Sequence, residues 1–357
     1  MSTSSVPTHH TRIALAEHLL DEVRSSQFSP RSQTLPPIAD DEVLVRTDFV
    51  QIATAFTDLM RIDSEIPMPP YSLGDTIGGA AVGTVVESKS SRHSAGDLVF
   101  SFTGWSDYQI VHGDRLTTLD RDSVPSPAFY LNQGVTAFHG IADVARVGPG
   151  DVVYVSGAAG GVGSLAGQIA RIRGAAAVIG SAGTDEKVRY LVEELEFDAA
   201  FNYHDGTVLE QLSAAAPRGI DVFFDTVGGD QFEAAVQVAN SGARFALCGA
   251  LSSQISKDRD AWPRLNLMTA ITKNLSIFPF ATYHTPQQIE AWSVHFAQWL
   301  ADGSLVFPHT LVRGSIVDAP DVLRNLVGGT YRGNVALELQ HSTQGDQNTY
   351  LSSTSYT

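Results

Sequence analysis

The segment VVYVSGAAGGVGSLAGQIARIRG (152–174) constrains the fold of this chain more than any other. A β-branched run leads into a glycine-rich turn, and the turn opens a stretch whose apolar residues have helical spacing. Gly160 and Gly163 have the spacing of the last two glycines of a dinucleotide-binding fingerprint, and Ala158 stands where its first glycine is expected. The alternative is a tight glycine turn that binds no ligand, and the pattern of the following elements distinguishes the two interpretations.

Strand and helix patterns alternate after this segment. Strands are predicted at 176–180, 198–202, 220–225 and 243–248, and helices at 184–195, 206–215 and 229–239. This alternation predicts βαβ units and a parallel sheet. In that context the glycine turn is interpreted as a phosphate cradle, in which free N–H groups at the helix N-terminus bind a pyrophosphate. The predicted cradle residues are Ala159, Gly160, Gly161, Val162 and Gly163.

The flanking regions have a different pattern. Short β-branched runs broken by Gly, Asp and Ser lie at 41–52, 80–88, 96–102 and 106–113, a helix is predicted at 126–145, and the C-terminal third carries strands at 274–280 and 334–340 and helices at 285–303 and 315–329. We therefore predict an α/β chain: a Rossmann domain with a doubly wound parallel sheet, inserted in a β-rich, partly open, barrel-like (GroES-like) domain. The predicted boundaries are 1–130 with 309–340 for the β-rich substrate domain, 131–308 for the Rossmann domain, and 341–357 for a disordered tail.

Composition excludes several classes of function. The formal charge of -16 opposes binding to nucleic acid and to anionic membranes. The single cysteine, Cys248, forms no intrachain disulfide and excludes a cysteine-based structural zinc site. No apolar run of about 20 residues exists to span a bilayer, and the N-terminus lacks the pattern of a secretion signal. We expect a cytoplasmic protein, with His9 and His10 in an N-terminal tail.

The end of the second predicted strand indicates which nucleotide is bound. An NAD site usually places Asp or Glu there to hold the ribose hydroxyls, whereas residues 180–183 are Gly, Ser, Ala and Gly. This neutral loop leaves room for a 2′-phosphate, and Lys187 follows in the next helical turn with Tyr203 after the next strand. A solvated helix-face lysine is the alternative for Lys187. The sequence therefore favours NADP(H) as the cofactor.

Several segments together resemble the medium-chain dehydrogenase/reductase superfamily, and within it the zinc-free prostaglandin reductase and alkenal double-bond reductase branch. The matching segments are GVTAFHG (134–140), GAAGGVGSLAGQIA (157–170), AGTDEKVRYL (182–191), FDAAFNY (197–203), VFFDTVGGDQF (222–232) and CGALS (248–252). The resemblance covers roughly residues 40–340.

The resemblance implies roles for individual residues. Lys187 and Tyr203 would hold the 2′-phosphate, and Asn334 matches a late cofactor contact. The nicotinamide half would be lined by Thr226, Cys248, Gly249, Ala250, Leu251 and Phe280. Tyr283 falls where the family has a tyrosine near the substrate carbonyl, so it is the predicted catalytic residue, with a core or cleft-wall tyrosine as the alternative.

No metal site is predicted. Zinc-dependent relatives use Cys and a Gly-His-Glu sequence, whereas the comparable segment here, SLGDTIGGAAVG (72–83), has no Cys, His or Glu. Direct alcohol oxidation would then lack its usual Lewis acid. Hydride addition to the β-carbon of an α,β-unsaturated carbonyl needs none, provided that the protein orients the reactants and stabilises the enolate through Tyr283 and a ribose hydroxyl.

The predicted function is therefore NADPH-dependent reduction of an enone or alkenal double bond, with a small-molecule unsaturated carbonyl compound as the substrate. Candidate substrate-pocket residues are Phe56, Met60, Tyr71, Trp105 and Phe278. Two alternatives stay open: a reductive cyclase of secondary (polyketide-type) metabolism, and a quinone reductase or non-catalytic NADPH-binding protein. The family resemblance further predicts a homodimer through an edge strand at 274–283.

Overall fold

The structure, a computed structural model, describes residues 7–64, 66, 68–255 and 262–341. Its strands are β1 (His9–Leu15), β2 (Phe28–Thr34), β3 (Glu42–Ile52), β4 (Ala81–Ser88), β5 (Leu98–Ser101), β6 (Tyr108–His112), β7 (Thr117–Thr118), β8 (Val152–Val155), β9 (Ala177–Ala182), β10 (Ala199–Asn202), β11 (Ile220–Asp225), β12 (Ala239–Leu247), β13 (Ser276–Pro279), β14 (His309–Gly314) and β15 (Asn334–Leu339). Its α-helices are α1 (Ala55–Leu59), α2 (Gly134–His139), α3 (Gly163–Ile172), α4 (Asp185–Glu193), α5 (Val208–Ala215), α6 (Gly229–Val238), α7 (Leu251–Ile255), α8 (Leu267–Thr272), α9 (Pro286–Asp302) and α10 (Ala319–Val327).

Six parallel strands form one sheet in the order β10–β9–β8–β11–β12–β13. Its central strands are buried on both faces, as expected for a parallel sheet between two helical layers. Val153 and Val155 of β8 pack with residues of α3 and α9, whereas Tyr154 packs on the opposite face with residues of α5 and α6. This doubly wound arrangement confirms the predicted Rossmann-type sheet.

A second sheet runs in the order β14–β15–β3–β4–β5–β7, with β6 also paired to β3. All its pairs are antiparallel except β14 with β15. Two register shifts in β3, at Leu44/Val45 and Thr47/Phe49, accompany the pairing of this strand with three partners. The predicted β-rich domain is thus confirmed, with strands from both ends of the chain in one sheet, while the boundaries at 130/131 and 308/309 stay predictions.

Several local predictions were wrong. His9 and His10 lie in β1, which forms a hairpin with β2, and the His10 Nδ1 atom is 3.1 Å from the Ser106 hydroxyl. The predicted helix at 126–145 is divided into a 3₁₀ turn, α2 and a π-helical turn at Gly140–Val144. Helix α8 lies between two predicted strands, at 243–248 and 274–280, where no helix was predicted.

Residues 342–357 of the predicted tail lie outside the described residues, whereas the His341 ring nitrogen Nε2 is 2.7 Å from the Thr47 carbonyl oxygen. No helix in the described ranges is long and apolar enough to cross a membrane.

We expect Gly167→Ala to lower the free energy of unfolding by about 1–3 kcal/mol, because it overpacks the contact between α3 and the loop after α4. A Cβ atom at Gly167 would overlap the ring of buried Phe197, which also packs on Gly180 of β9. In a Phe197→Leu background the same substitution should cost clearly less, because the smaller side chain leaves room. Denaturant unfolding measures both; Gly148→Ala, with no atom within 4 Å of the added Cβ, is the control. Equal costs in the two backgrounds would contradict the packing argument.

Candidate functional site

The glycine turn after β8 contains the tight bend that a phosphate cradle needs, one residue earlier than the sequence pattern suggested. Gly157 has a φ of 58°, a left-handed conformation that favours glycine, and a Cβ there would lie 2.6 Å from the Thr226 hydroxyl. Ala158, at the position assigned to the first glycine, is fully buried. The fingerprint in this chain therefore begins at Gly157, so that two residues, Ala158 and Ala159, separate its first glycine from Gly160, where the usual pattern has one.

The other two glycines of the cradle have different neighbours. A Cβ at Gly163 would lie 2.5 Å from the Gly157 carbonyl oxygen, so only glycine allows α3 to approach the turn this closely. A Cβ at Gly160 would meet only the Gly157 oxygen, at 3.3 Å, and otherwise open space. No side chain caps α3, and among the described residues no acceptor takes the N–H groups of Val162 or Gly163, whereas Gly160 and Gly161 lie against Gly333 in a parallel bridge. The N–H groups of Val162 and Gly163 fit the pyrophosphate of a dinucleotide.

Asn334, the first residue of β15, fastens the cradle to the β-rich sheet. Its Nδ2 donates to the carbonyl oxygens of Gly161 (3.1 Å) and Pro308 (3.3 Å), and its Oδ1 accepts from the N–H of Gln133 (2.9 Å). The preceding Gly333 N–H donates to the Ala159 oxygen at 2.8 Å. We predicted Asn334 as a cofactor contact, but its buried amide is engaged with the backbone on both sides, so the structure places it behind the cradle.

Lys187 and Tyr203 lie at the carboxyl end of β9, as predicted. Thr184 caps α4 by accepting from the Lys187 N–H at 3.2 Å, and the Lys187 Nζ donates to the Gly329 carbonyl oxygen at 2.6 Å. Burial lowers the pKa of Lys187, and the nearby charge of Arg332 lowers it further. The Tyr203 hydroxyl lies 2.8 Å from the position of a Cβ on Gly183. The two side chains therefore flank one short neutral loop.

Arg332 belongs to the same region and was missed by the sequence analysis. Its guanidinium lies 4.2 Å from the centroid of the Tyr190 ring and 3.5 Å from the Glu194 carboxylate. Tyr190 and Glu194 follow Lys187 on one face of α4 and its C-terminal end, and Arg332 comes from the segment before β15. No local pattern relates residues so far apart in sequence.

Asp225, at the end of β11, holds by hydrogen bonds the two loops that were predicted to line the nicotinamide half. It was not among the predicted site residues. Its buried Oδ1 accepts from the Ser156 hydroxyl (2.7 Å) and from the N–H groups of Val227 and Gly228 (both 2.9 Å). Burial raises the pKa of Asp225. The Thr226 hydroxyl donates to the Ser156 oxygen at 3.0 Å, so it is engaged within the protein. An acid at the end of the strand FFD was the available sequence signal.

The predicted loop Cys248, Gly249, Ala250 and Leu251 is held against the same strand end. The N–H groups of Cys248 and Gly249 donate to the Asp225 carbonyl oxygen at 2.8 and 3.1 Å, and the Leu251 N–H donates to the Thr226 oxygen at 3.3 Å. Burial, with a smaller effect of Asp225, raises the pKa of Cys248 to about 12. The thiol is therefore protonated at neutral pH and is no nucleophile.

Phe280 and Tyr283 follow β13 but have different surroundings. The Phe280 ring packs on Gly140 and Phe224, with its centroid 5.6 Å from that of His139. Tyr283 leaves 56 % of its surface exposed. Because this phenol is exposed, a ligand can reach it, and its catalytic role stays a prediction.

The five predicted substrate-pocket residues do not form one wall. Met60 and Trp105 are completely buried in the core of the β-rich domain, so neither presents a surface to a ligand in this conformation. Phe278 lies on the outermost strand of the parallel sheet, in a surface groove with Val144 and Arg146. Apolar spacing alone does not distinguish core from cleft, and the role of these three residues in a substrate pocket stays a prediction.

Phe56 and Tyr71 pack on the segment where zinc-dependent relatives have ligands. A Cβ at Gly79 would overlap the Phe56 ring, so position 79 has no room for a side chain. The Tyr71 hydroxyl donates to the Gly78 oxygen at 2.7 Å, and burial raises its pKa to about 12. No cluster of three or more His, Cys, Asp or Glu suited to a metal occurs in the described part of the chain.

Arg61 connects the N-terminal segment before β2 to α7 and was not predicted as a site residue. The buried guanidinium donates to the Leu20 carbonyl oxygen at 2.8 Å and to the Gln254 oxygen near the end of α7 at 3.3 Å. A cation is favourable at a helix C-terminus. Arg61 thereby positions α7, whose first residue Leu251 belongs to the cofactor loop.

We expect Asn334→Asp to weaken dinucleotide binding and to lower the free energy of unfolding by about 1–3 kcal/mol. The substitution replaces the donating amide with a carboxylate that faces the Gly161 and Pro308 oxygens. Thermal unfolding and titration of cofactor fluorescence measure the two effects. Asn325→Asp is the matched control, because exposed Asn325 makes only a 3.4 Å contact with the Tyr331 hydroxyl. Unchanged cofactor affinity in Asn334→Asp would contradict the role of the clamp.

Two family models match the chain. The model described as "N-terminal domain of oxidoreductase" matches residues 11–119, and "Zinc-binding dehydrogenase" matches residues 161–299. Among curated proteins, YfmJ of Bacillus subtilis (strain 168) is 34 % identical, covering 85 % of this chain and 90 % of its own. NADPH-dependent curcumin reductase of Escherichia coli (strain K12) is 30 % identical over 84 % and 88 % of the two chains. Prostaglandin reductase 1 of Bos taurus is 30 % identical over 92 % and 99 %.

Solved structures agree with these matches. CurA from Vibrio vulnificus in complex with NADPH is 27 % identical, with a TM-score of 0.87 over 93 % of this chain and all of the other. Escherichia coli quinone oxidoreductase, at 21 % identity and a TM-score of 0.73 over 92 % and 99 % of the two chains, shares the fold. The two-sheet architecture, the glycine cradle and these matches agree: the chain belongs to the medium-chain dehydrogenase/reductase superfamily, in its zinc-free prostaglandin reductase branch.

Proposed function

We propose that this protein is an NADPH-dependent reductase that adds hydride to the β-carbon of an α,β-unsaturated carbonyl compound. The relatives named curcumin reductase and prostaglandin reductase support the reaction class. The observation that carries the choice is the packing of Phe56 on Gly79, which leaves no room for a ligand side chain at that position in the segment 72–83. A conjugated carbonyl compound fits such a site, because its β-carbon is already electrophilic.

The chain offers a distinct group for each part of NADP(H). The N–H groups of Val162 and Gly163, at the start of α3, bind the pyrophosphate. Lys187 and Tyr203 hold the 2′-phosphate at the neutral end of β9. The loops Thr226–Gly228 and Cys248–Leu251, both fastened to Asp225, line the nicotinamide half.

NADPH, when bound, supplies the hydride, and the side chains hold and polarise the substrate. Exposed Tyr283 donates a hydrogen bond to the carbonyl oxygen, which stabilises the negative charge that develops there. The α-carbon then takes a proton from Tyr283 or from solvent. Asp225 keeps both cofactor loops in one arrangement, so that the reactants meet in a fixed orientation. The segment 68–73, which carries Tyr71, borders the substrate and sets its choice.

We expect the purified protein to reduce enones or alkenals with NADPH deuterated at the transferable position, and to place the deuterium on the β-carbon, as NMR would show. Tyr283→Phe should lower kcat by about 10²-fold without changing the NADPH Kd, because one donor to the oxyanion is lost. Tyr108→Phe, in the β-rich sheet, is the control.

Other outcomes of this assay identify the alternatives. A product with an additional ring would identify a reductive cyclase of natural-product assembly. Turnover on quinones alone, or none on any of these compounds despite NADPH binding, would overturn the proposal.

A homodimer through β13 is part of the proposal. Within the described residues β13 pairs only with β12, so its other edge lacks a partner. Neighbouring α8 exposes 66 % of Leu267, 65 % of Met268 and 68 % of Ile271, an apolar surface that a second copy would cover by two-fold symmetry. The cytoplasmic location stays a prediction from the sequence.

We expect light scattering to give twice the chain mass of 38.2 kDa, and the double variant Met268→Glu/Ile271→Glu to give a folded monomer. The two carboxylates would have to be buried in the interface, which disfavours association. Val317→Glu, at an exposed valine of the β-rich domain, should stay dimeric. A monomeric wild-type protein would refute the predicted interface.

A further inference from the structure

We propose that Arg332 is a second cation for the 2′-phosphate of NADP(H), and that Glu194 competes with the phosphate for it. The inference rests on the proposed function, since it assumes that Lys187 and Tyr203 hold this phosphate. It adds a residue from the β-rich domain to a site otherwise built by the Rossmann domain, and it makes cofactor specificity depend on contact between the two domains.

Stacking on Tyr190 holds the guanidinium in a fixed orientation. Tyr190 is buried and the distance from its ring centroid to the guanidinium carbon is 4.2 Å, within the range of a cation–π contact. A guanidinium stacked on a ring keeps its N–H groups in the plane parallel to that ring, where they can bind two phosphate oxygens. The contact with the ring uses none of these donors, and one of them faces the Glu194 carboxylate at 3.5 Å.

The acidic partner of Arg332 holds it weakly. Glu194 approaches only to 3.5 Å, and the side chains of Arg332 and Glu194 are 39 % and 59 % exposed. Exposed ion pairs of this kind are worth little. A phosphate carries more charge than a carboxylate and accepts hydrogen bonds on three oxygens, so it should displace Glu194 from the guanidinium.

Lys187 alone is poorly suited to neutralise a phosphate. Glu186 is adjacent to it and offsets part of its charge, and its Nζ donates to the Gly329 carbonyl oxygen at 2.6 Å. The remaining acid of this turn, Asp185, accepts from the Asn202 amide at 2.9 Å. Tyr190, over which the Arg332 guanidinium lies, follows Lys187 by three residues on α4, so the two cations lie along the same face of one helix.

The segment that carries Arg332 is positioned by the same contacts that hold the cradle. Lys187 binds the oxygen of Gly329, three residues before Arg332, and the next residue, Gly333, donates to the Ala159 oxygen at 2.8 Å. The Arg332 carbonyl oxygen itself accepts from the Thr310 hydroxyl at 2.8 Å. The backbone that carries the Arg332 side chain is therefore fixed relative to both Lys187 and the cradle.

The test measures binding of NADPH, NADH, 2′,5′-ADP and 5′-AMP to the full-length protein by calorimetry. We expect Arg332→Gln to raise the Kd of NADPH and of 2′,5′-ADP about tenfold, and to leave the Kd of NADH and of 5′-AMP within about twofold. Arg332→Lys should lie between wild type and Arg332→Gln, because it keeps the charge but loses the stacked plane. Arg313→Gln, an exposed arginine paired with Glu338, is the matched control and should bind like wild type.

Glu194→Gln gives the sharpest result, because the expected change has the opposite sign. Removing the competing carboxylate should tighten NADPH binding about two- to threefold without changing NADH binding. A purely structural Arg332–Glu194 pair would instead give weaker binding of both nucleotides, and that outcome would overturn the inference.

The comparison with Lys187→Ala separates this inference from the proposed function. If Lys187→Ala weakens 2′,5′-ADP binding and Arg332→Gln does not, Arg332 is no part of the site and the proposed function is unaffected. If neither variant distinguishes 2′,5′-ADP from 5′-AMP, the 2′-phosphate is held elsewhere and both assignments fail. Circular dichroism identifies a misfolded variant, and Arg332→Lys then carries the same comparison.

Discussion

The hydrogen bond from the Asn334 amide to the Gly161 carbonyl oxygen connects the two sheets of this protein at the proposed phosphate cradle. Asn334 begins β15, which pairs with β3 and β14, whereas Gly161 lies in the turn that leaves the parallel sheet. One side chain therefore relates the register of the β-rich sheet to the phosphate cradle. The buried amide also fixes the N–H of Gln133, at the entry to the helical layer. These contacts fix the position of the cradle relative to the β-rich sheet.

The polar groups at the other end of the cofactor site follow the same principle. Asp225 uses one carboxylate oxygen for three donors and its carbonyl oxygen for two more, so a single residue connects three chain segments. Its burial raises its pKa, and the hydrogen bonds oppose that shift. Such a network is sensitive to the loss of any member, because each group left without a partner is costly in a buried site.

The sequence was sufficient for the parts of the molecule that local patterns describe. Periodicity and glycine spacing predict the strand, turn and helix around Gly160 and the alternating elements after it. The absence of an acid in the loop 180–183 indicated the cofactor. Contacts between distant segments were not accessible in this way. Lys187 and Gly329 are 142 residues apart. The position of Arg332 over Tyr190 and the hydrogen-bonded amide of Asn334 also join segments that are distant in sequence, so no local pattern predicts them. Burial was not accessible either, since an apolar side chain such as Met60 or Trp105 fits a core and a cleft wall equally well in the sequence, and both are completely buried.

The packing of the Phe56 ring on Gly79 limits which substitutions this segment can accept. Any side chain introduced at position 79 would first collide with the ring, and a smaller residue at position 56 would first leave a void in the core of the β-rich domain. Neither single change is tolerated well without the other. A larger side chain at position 79 therefore requires a second, simultaneous substitution at position 56, so stepwise mutation does not readily place a metal ligand there.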